Sequence, residues 1–243
     1  MWQAVPMSAP RHDEYGLPVG EDVPGWKPVD LPPHTAMDGQ WCRLEPLTLD
    51  HAEGLVAAFS ADDGRMWTYM PWGPFKKTAE LRTVIEWISA QDDWMGFAIV
   101  TPEHGPIGMA CYLRIDPPQG VIEVGFIAYS PALMKTAAAT EAMFLMADRA
   151  FDTGYRRHEW KCDDLNAASR SAADRLGFRY EGTFRQAVVY KGRNRDTAWY
   201  SITDQEWLAL RQAYVKWLNP ANFDDAGTQR TSLRALVAAT QGM

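Results

Sequence analysis

Val121-Ile-Glu-Val-Gly-Phe-Ile-Ala-Tyr129 is the stretch from which the rest of the chain can be read. Its alternation is that of a β-strand, with Val121, Glu123, Gly125, Ile127 and Tyr129 expected on one face and Ile122, Val124, Phe126 and Ala128 on the other. One carboxylate, Glu123, thus stands on an otherwise apolar or open face. Ser130-Pro131 ends the strand, a loop follows, and a helix is expected from about 137 to 153, closed by Gly154. In that helix Ala139, Ala142, Met143, Met146, Ala147 and Ala150 recur at helical spacing, while Glu141, Asp148 and Asp152 line up on another side. His158-Glu-Trp-Lys-Cys-Asp163 reads as the next strand. A short helix comes after it, capped by Asn166 and ended by Gly177, in which Ser169 shares a face with Ala172, Ala173 and Leu176. A small hydroxyl is therefore aimed inward.

Outward from this centre, Trp41-Cys-Arg-Leu-Glu-Pro-Leu47 alternates like a first strand, and Asp50 caps a helix running to Phe59. Trp67-Thr-Tyr-Met-Pro-Trp-Gly-Pro-Phe75 is an aromatic loop, followed by a helix over 78–91 and strands over 97–101 and 107–115. On the other side, 183–190 and 196–202 form a hairpin around Lys191-Gly-Arg-Asn-Arg195, and a helix over 204–218 stops at Asn219-Pro220. Residues 1–40 read as an extended, Pro-rich arm whose Trp2, Tyr15 and Trp26 suit packing on the domain or on a second subunit. Residues 219–243 form a second arm with a short helix around 232–240. The expected architecture is one mixed α/β (α+β) domain over 41–218. Its twisted, mostly antiparallel sheet has about seven strands and is flanked by helices.

The chain has 243 residues and a net charge of −7, which argues against general attraction to nucleic acid and favours cationic partners such as a protonated amine. Cys42, Cys111 and Cys162 are odd in number and widely spaced in strand-like segments. They read as small buried residues in a reducing compartment. The histidines show no metal-ligand spacing, so no metal is expected. No apolar run approaches the roughly 20 residues that span a bilayer, and no basic segment precedes an apolar core near the N-terminus. A cytoplasmic protein with no membrane partner is expected.

Glu123-Val-Gly-Phe126, Ala139-Thr-Glu-Ala142, Asn166-Ala-Ala-Ser169, Leu176-Gly-Phe178, Glu181-Gly182 and Arg195-Asp196 with Tyr200-Ser-Ile202 form an ordered set between Trp41 and Trp207. No single piece is specific, but the set resembles the GNAT superfamily of N-acetyltransferases, with the closest likeness to the group that acetylates N-terminal amines of ribosomal proteins. The resemblance implies acetyl-CoA (coenzyme A) as cosubstrate and no metal. It also implies direct attack on the thioester by an amine-bearing small molecule or a protein N-terminus. A non-catalytic acyl-CoA sensor on the same fold is the alternative, and a homodimer is left open.

The resemblance assigns the diphosphate to Lys135, Thr136, Ala137, Ala138, Ala139 and Thr140, where a loop enters a helix N-terminus. Met134-Lys-Thr-Ala-Ala-Ala139 lacks the Arg/Gln and the inner Gly of the family's Arg/Gln-x-x-Gly-x-Gly/Ala, which puts cofactor affinity in question. Backbone N–H groups of Ile127 and Ala128 are implied to polarise the thioester carbonyl. An amine protonated at neutral pH needs a base. Glu123 is named first, with acceptance of a hydrogen bond from a neighbouring strand or Arg114 as the structural alternative; Asp163 and Asp196 come second. Many acetyltransferases of this fold carry a tyrosine on this helix to serve the departing thiolate; here there is none, and the resemblance implies a serine, Ser169, in that role, unless it closes the first helical turn with Asn166, a residue that also suits the pantetheine arm. Trp67, Tyr69 and Trp72, with Asp196, are candidates to wall the acceptor, unless the aromatic run is a packed lid or subunit contact. Lys191, Arg193 and Arg195 read as a solvated hairpin tip. A covalent role for Cys162 is set aside because its strand position implies burial.

Overall fold

The structure, a computed structural model, describes residues 11–241. The strands are β1 (Arg11–His12), β2 (Pro18–Val19), β3 (Met37–Asp38), β4 (Arg43–Pro46), β5 (Met95–Thr101), β6 (Gly105–Asp116), β7 (Val121–Tyr129), β8 (Arg157–Asp163), β9 (Arg179–Tyr190) and β10 (Arg193–Thr203). The helices are α1 (Ala52–Phe59), α2 (Thr78–Ser89), α3 (Ala137–Asp152), α4 (Ala167–Leu176), α5 (Asp204–Leu218) and α6 (Leu233–Gln241). β1 and β2 pair with each other, and the rest form an open eight-stranded sheet in the order β3-β4-β5-β6-β7-β8-β10-β9. The strand beyond the seven or so expected is β3, two residues of the N-terminal arm laid beside β4.

Every neighbouring pair in this sheet is antiparallel except β7 and β8. That one parallel pair follows from the crossover through α3, because a chain returning through a helix on one face re-enters the sheet in its original direction. α3, α4, α5 and α6 cover one face with a core that includes Ile122, Val124, Met143, Trp160, Leu176, Trp207 and Val237. α1 and α2 cover the β4–β6 half of the other face around Leu55, Phe59, Leu81, Ile85 and Cys111.

The simple alternation expected along β7 does not hold. Phe126 sits at φ +48°, and the β6 register slips between the Met109–Ala128 and Cys111–Gly125 pairs. A bulge of this kind inserts one residue and exchanges the faces beyond it. Phe126 and Ala128 therefore pack with the α1/α2 core, while Ile127 and Tyr129 pack on the side of Ile122 and Val124. Glu123 and Gly125 do not share a face with Ile127 and Tyr129.

Glu141 also departs from its expected place beside Asp148 and Asp152. It is 4% exposed, and its carboxylate accepts the backbone N–H groups of Gln40 (2.8 Å), Trp41 (2.6 Å) and Cys42 (2.8 Å). Three convergent N–H donors form an anion nest. A Cβ on Gly39 would come within 2.3 Å of this carboxylate, so only glycine lets the chain pass. The N-terminal arm is further held by Arg149, whose guanidinium donates to the carbonyls of Pro33 (2.8 Å), Thr35 (2.6 Å) and Ala36 (3.0 Å). Trp26 donates its indole N–H to the Pro118 carbonyl (3.1 Å), whereas Tyr15 is 80% exposed and Trp2 lies outside the described residues. α1 is led in by a 3-10 turn at Leu49–His51 capped from Thr48, not by Asp50, because the His51 ring reaches back to the Thr48 N–H (3.1 Å).

The three cysteines are buried and unpaired. No helix among the described residues is long and apolar enough to cross a membrane, and none of their His, Cys, Asp and Glu side chains cluster as a metal site.

His158 is buried among Tyr112, Phe151 and Phe178, and burial lowers its pKa to about 4. Its unfolded counterpart protonates near 6.5. The stability this neutral ring supports is present above pH 6.5 and is lost as pH falls toward 4, by up to about 3 kcal/mol. Urea titrations across that window should show the fall, and His158→Phe should flatten it. Glu141→Gln should lower unfolding free energy at neutral pH by about 1–3 kcal/mol, read from the urea midpoint.

Candidate active site

The β7–β8 ladder covers only Val121–Arg157 to Val124–Trp160. Past that point the strands diverge, the bulge turns β7 away, and the edge of β7 facing β8 is left without a strand partner from Gly125 on. A cavity of about 1820 Å³ passes through the gap. On one side it meets α4 and the N-terminus of α3. On the other it meets the half of the sheet that α1 and α2 leave uncovered, floored by Glu123, Lys161, Asp163, Thr197 and Trp199.

On the α3 side, the Thr136 hydroxyl accepts the Ala139 N–H (3.1 Å) and donates to the Leu133 carbonyl (2.7 Å). The hydroxyl is thus occupied as a cap, leaving the N–H groups of Ala137 and Ala138 without intrahelical partners. Lys135 turns the chain at φ +63°, and Lys135 through Thr140 all line the cavity. Arg175, which sequence reasoning missed, reaches the same place from the last turn of α4. Its guanidinium donates to Thr140 Oγ1 (2.9 Å), lies 6.0 Å from the Trp217 ring centroid and has no carboxylate partner among the described residues. Burial lowers its pKa, yet a guanidinium remains charged. Two free helix-terminal donors with two cations beside them suit an anion. The available signal was spacing: Ala168, Ala172 and Arg175 share a helix face at i, i+4 and i+7, two small side chains making room for one long cation.

Asn166 caps α4 by accepting the Ser169 N–H (3.1 Å). The Ser169 hydroxyl takes no part in that cap; it accepts the Trp160 indole N–H (3.0 Å). That hydroxyl lines the cavity beside the Cys162 thiol. The neighbouring Cys162 thiol is pushed up by burial and stays protonated, which removes it as a nucleophile.

Across the sheet, Glu123 is 3% exposed and meets Arg114 Nη1 at 2.6 Å and Lys161 Nζ at 2.9 Å. The Arg114 contact that was the structural alternative for Glu123 is therefore present. Lys161 is shared with Glu159 (2.7 Å) and lies 3.7 Å from the Trp199 ring centroid; Glu159 in turn meets Arg157 (2.7 Å). Burial raises the Glu123 carboxyl above the usual carboxylate range, with Arg114 and Lys161 pulling the other way. A side chain at position 125 would press on Leu113 (2.9 Å) and Glu123 (3.2 Å), so Gly125 keeps this carboxylate open to the cavity. Asp163 lines the cavity, but its oxygens accept from the Tyr190 hydroxyl (2.8 Å) and the Leu165 N–H (2.9 Å).

Three residues named from the sequence lie away from the cavity. Trp67 is 2% exposed and packs edge-on against Phe59 (5.2 Å) and Phe75 (4.9 Å), so it belongs to the core. Asp196 accepts from the Gln186 N–H (2.7 Å) and Asn194 (2.9 Å), bracing the bulged hairpin. Ala128 buries its side chain against α1 and α2, while Ile127 lines the cavity. Tyr69 and Trp72 do line it; the Tyr69 hydroxyl donates to the Leu165 carbonyl (3.2 Å), and Trp72 meets Phe126 at 4.9 Å. The hairpin tip is exposed, as expected, but it is also anchored: Lys191 donates to the carbonyls of Trp67 (2.9 Å) and Gly73 (3.1 Å), and Arg193 to that of Thr68 (2.7 Å). These two cations strap the aromatic loop over the cavity.

A family model described as an acetyltransferase (GNAT) domain matches residues 42–179. A GCN5-related N-acetyltransferase from Brucella melitensis shares 44% identity at a TM-score of 0.85, covering 88% of this chain and 99% of its own. A probable GNAT-family acetyltransferase from Chromobacterium violaceum shares 39% at a TM-score of 0.75, covering 79% and 98%. The microcin C7 self-immunity acetyltransferase MccE, solved with acetyl-CoA and AMP, shares the fold at 20% identity and a TM-score of 0.61, covering 68% and 93%. No curated protein sequence matches the chain.

Lys191→Met should leave the fold intact and free the loop. Amide hydrogen exchange in residues 67–73 is expected to speed up by an order of magnitude or more, with the α3 and α5 amides unchanged.

Proposed function

This chain belongs to the GNAT acetyltransferase family, and we propose that it transfers an acetyl group from acetyl-CoA to a primary amine, with no covalent enzyme intermediate. The observation that carries this reading is the through-sheet cavity, with an anion-suited helix N-terminus at one end and a buried carboxyl of raised pKa at the other.

The residues present fit the cosubstrate. The Ala137 and Ala138 N–H groups, Lys135 and Arg175 hold the diphosphate, and Asn166 and the unpaired edge of β7 guide the pantetheine arm through the gap. The Gly-poor loop that motivated a non-catalytic sensor thus retains its two donors and has a cation from α4 in support. Bound acetyl-CoA supplies the electrophilic carbonyl and the leaving thiolate. The backbone N–H of Ile127, the one of the two that lines the cavity, polarises the carbonyl oxygen, whereas Ala128 pairs with Met109 of β6. Glu123 takes the proton of the amine, for which a raised carboxyl pKa is well matched near neutral pH. Ser169, held by Trp160, directs its hydroxyl proton toward the sulfur. Tyr69 and Trp72 wall the acceptor. The acceptor class that the sequence resemblance implies, a ribosomal-protein N-terminus, stays a proposal alongside small amines, since neither bacterial relative is described by its acceptor.

Purified protein with acetyl-CoA and a panel of peptides and small amines should release thiol. Binding of the cofactor without release from any amine would mark the chain as a sensor. Glu123→Gln should cut kcat about 100-fold or more with cofactor affinity unchanged. Glu123 must be ionised to act, so kcat/KM should fall with decreasing pH along a limb lying above the ordinary carboxylate range, and that limb should be missing in the variant. Arg175→Gln should raise the KM for acetyl-CoA about tenfold with little change in kcat.

A further inference from the structure

The uncovered half of the sheet holds a cation that the reaction above does not use. Arg195, Thr197 and Trp199 stand at alternate positions of β10, with a register shift against β9 between Arg195 and Thr197. All three line the cavity. Each keeps a buried polar atom without a hydrogen-bond partner among the described residues: Arg195 Nε, Thr197 Oγ1 and Trp199 Nε1. Thr197 is 5% exposed, so its hydroxyl is fully enclosed. The Arg195 guanidinium forms no ion pair with any described carboxylate; what it meets is the Tyr190 ring, 6.0 Å away. The acids nearby are committed, Asp163 to Tyr190 and Leu165, and Glu123 and Glu159 to Lys161.

A half-buried arginine with no counter-charge and an enclosed, unpartnered Nε–H, beside an enclosed hydroxyl with no partner, is a costly arrangement unless a ligand completes it. The geometry points to an oxyanion site on β10, in which Arg195 and Thr197 bind a carboxylate or phosphate carried by the acceptor amine. The inference rests on the acetyltransferase reading for which end of the acceptor reacts, since Glu123 would hold the amine. The Lys161 ammonium joins Glu123 to the Trp199 ring, and four residues of strand put the Arg195 backbone roughly 13 Å beyond Trp199. Arginine's own length recovers part of that distance. The oxyanion therefore stands several bonds from the amine, as in a dipeptide or a phosphorylated arylamine. A free α-amino acid is too short. The Tyr69 and Trp72 wall suits an apolar or aromatic body between the two ends. Thus the overall charge of −7 points to cationic partners, while this site selects an anionic one.

The test uses two pairs of probes: phenylalanylglycine with its C-terminal amide, and O-phosphotyramine with tyramine. Calorimetric titration onto the full-length protein saturated with coenzyme A should show the charged member of at least one pair binding about tenfold tighter than its neutral-ended counterpart. Which pair responds separates a carboxylate from a phosphate. Arg195→Gln should abolish the difference, and Arg195→Lys should restore part of it. Thr197→Val should narrow it. Equal binding within both pairs, no heat from any probe, or equal weakening of both members by Arg195→Gln would overturn the site. In the thiol-release assay, charged probes that bind without being acetylated would sink the acetyltransferase reading and leave the site standing. Efficient acetylation of the neutral-ended probes alone would do the reverse.

Discussion

A single parallel strand pair, broken off after four residues, governs this molecule. β7 and β8 are joined from Val121 to Val124, where the helical crossover forces them side by side, and no further. Here the bulge at Phe126 turns β7 toward β6 and reassigns its side chains to opposite cores. The opening is thus a stable product of sheet geometry, and it links two faces that a continuous sheet would keep apart.

Around the gap, polar groups are distributed unevenly. Glu123, Lys161, Glu159 and Arg157 form an unbroken chain of opposite charges across β7 and β8, continued by Glu181 at 2.8 Å from Arg157. Buried charges survive because each has a neighbour of opposite sign, although desolvation still raises Glu123. Arg175 and Arg195 lack such neighbours. One stands at each end of the cavity, beside the start of α3 and on the far strand of the uncovered sheet. Their isolation sets them apart from the structural ion pairs, which is why ligand binding is assigned to them.

Much of the architecture was legible in order along the chain. Asn166 and Gly177 bound α4, Gly154 follows α3, and the strands over 97–101, 107–115, 121–129 and 158–163 match β5, β6, β7 and β8 closely. Of the residues named from motifs, Glu123, Ile127, Lys135 through Thr140, Asn166, Ser169, Tyr69 and Trp72 come together on one cavity. Trp67 and Asp196 did not, because an aromatic in a loop and an acid in a hairpin look alike whether they face a ligand, a core or their own backbone; Ala128 did not, because the bulge at Phe126 turns it to the other core.

Periodicity, caps and the ordered motifs determined the element sequence and the family resemblance, since these are local properties written within a few residues of each other. The face exchange at Phe126, the burial of Glu141 in a nest of N–H groups from residues 40–42, the strapping of the aromatic loop by Lys191 and Arg193, and the unpaired state of Arg175 and Arg195 belong to the tertiary structure alone. Each depends on a partner, or on the lack of one, supplied by segments remote in sequence. A side chain's spacing along its own element carries no record of what stands opposite it.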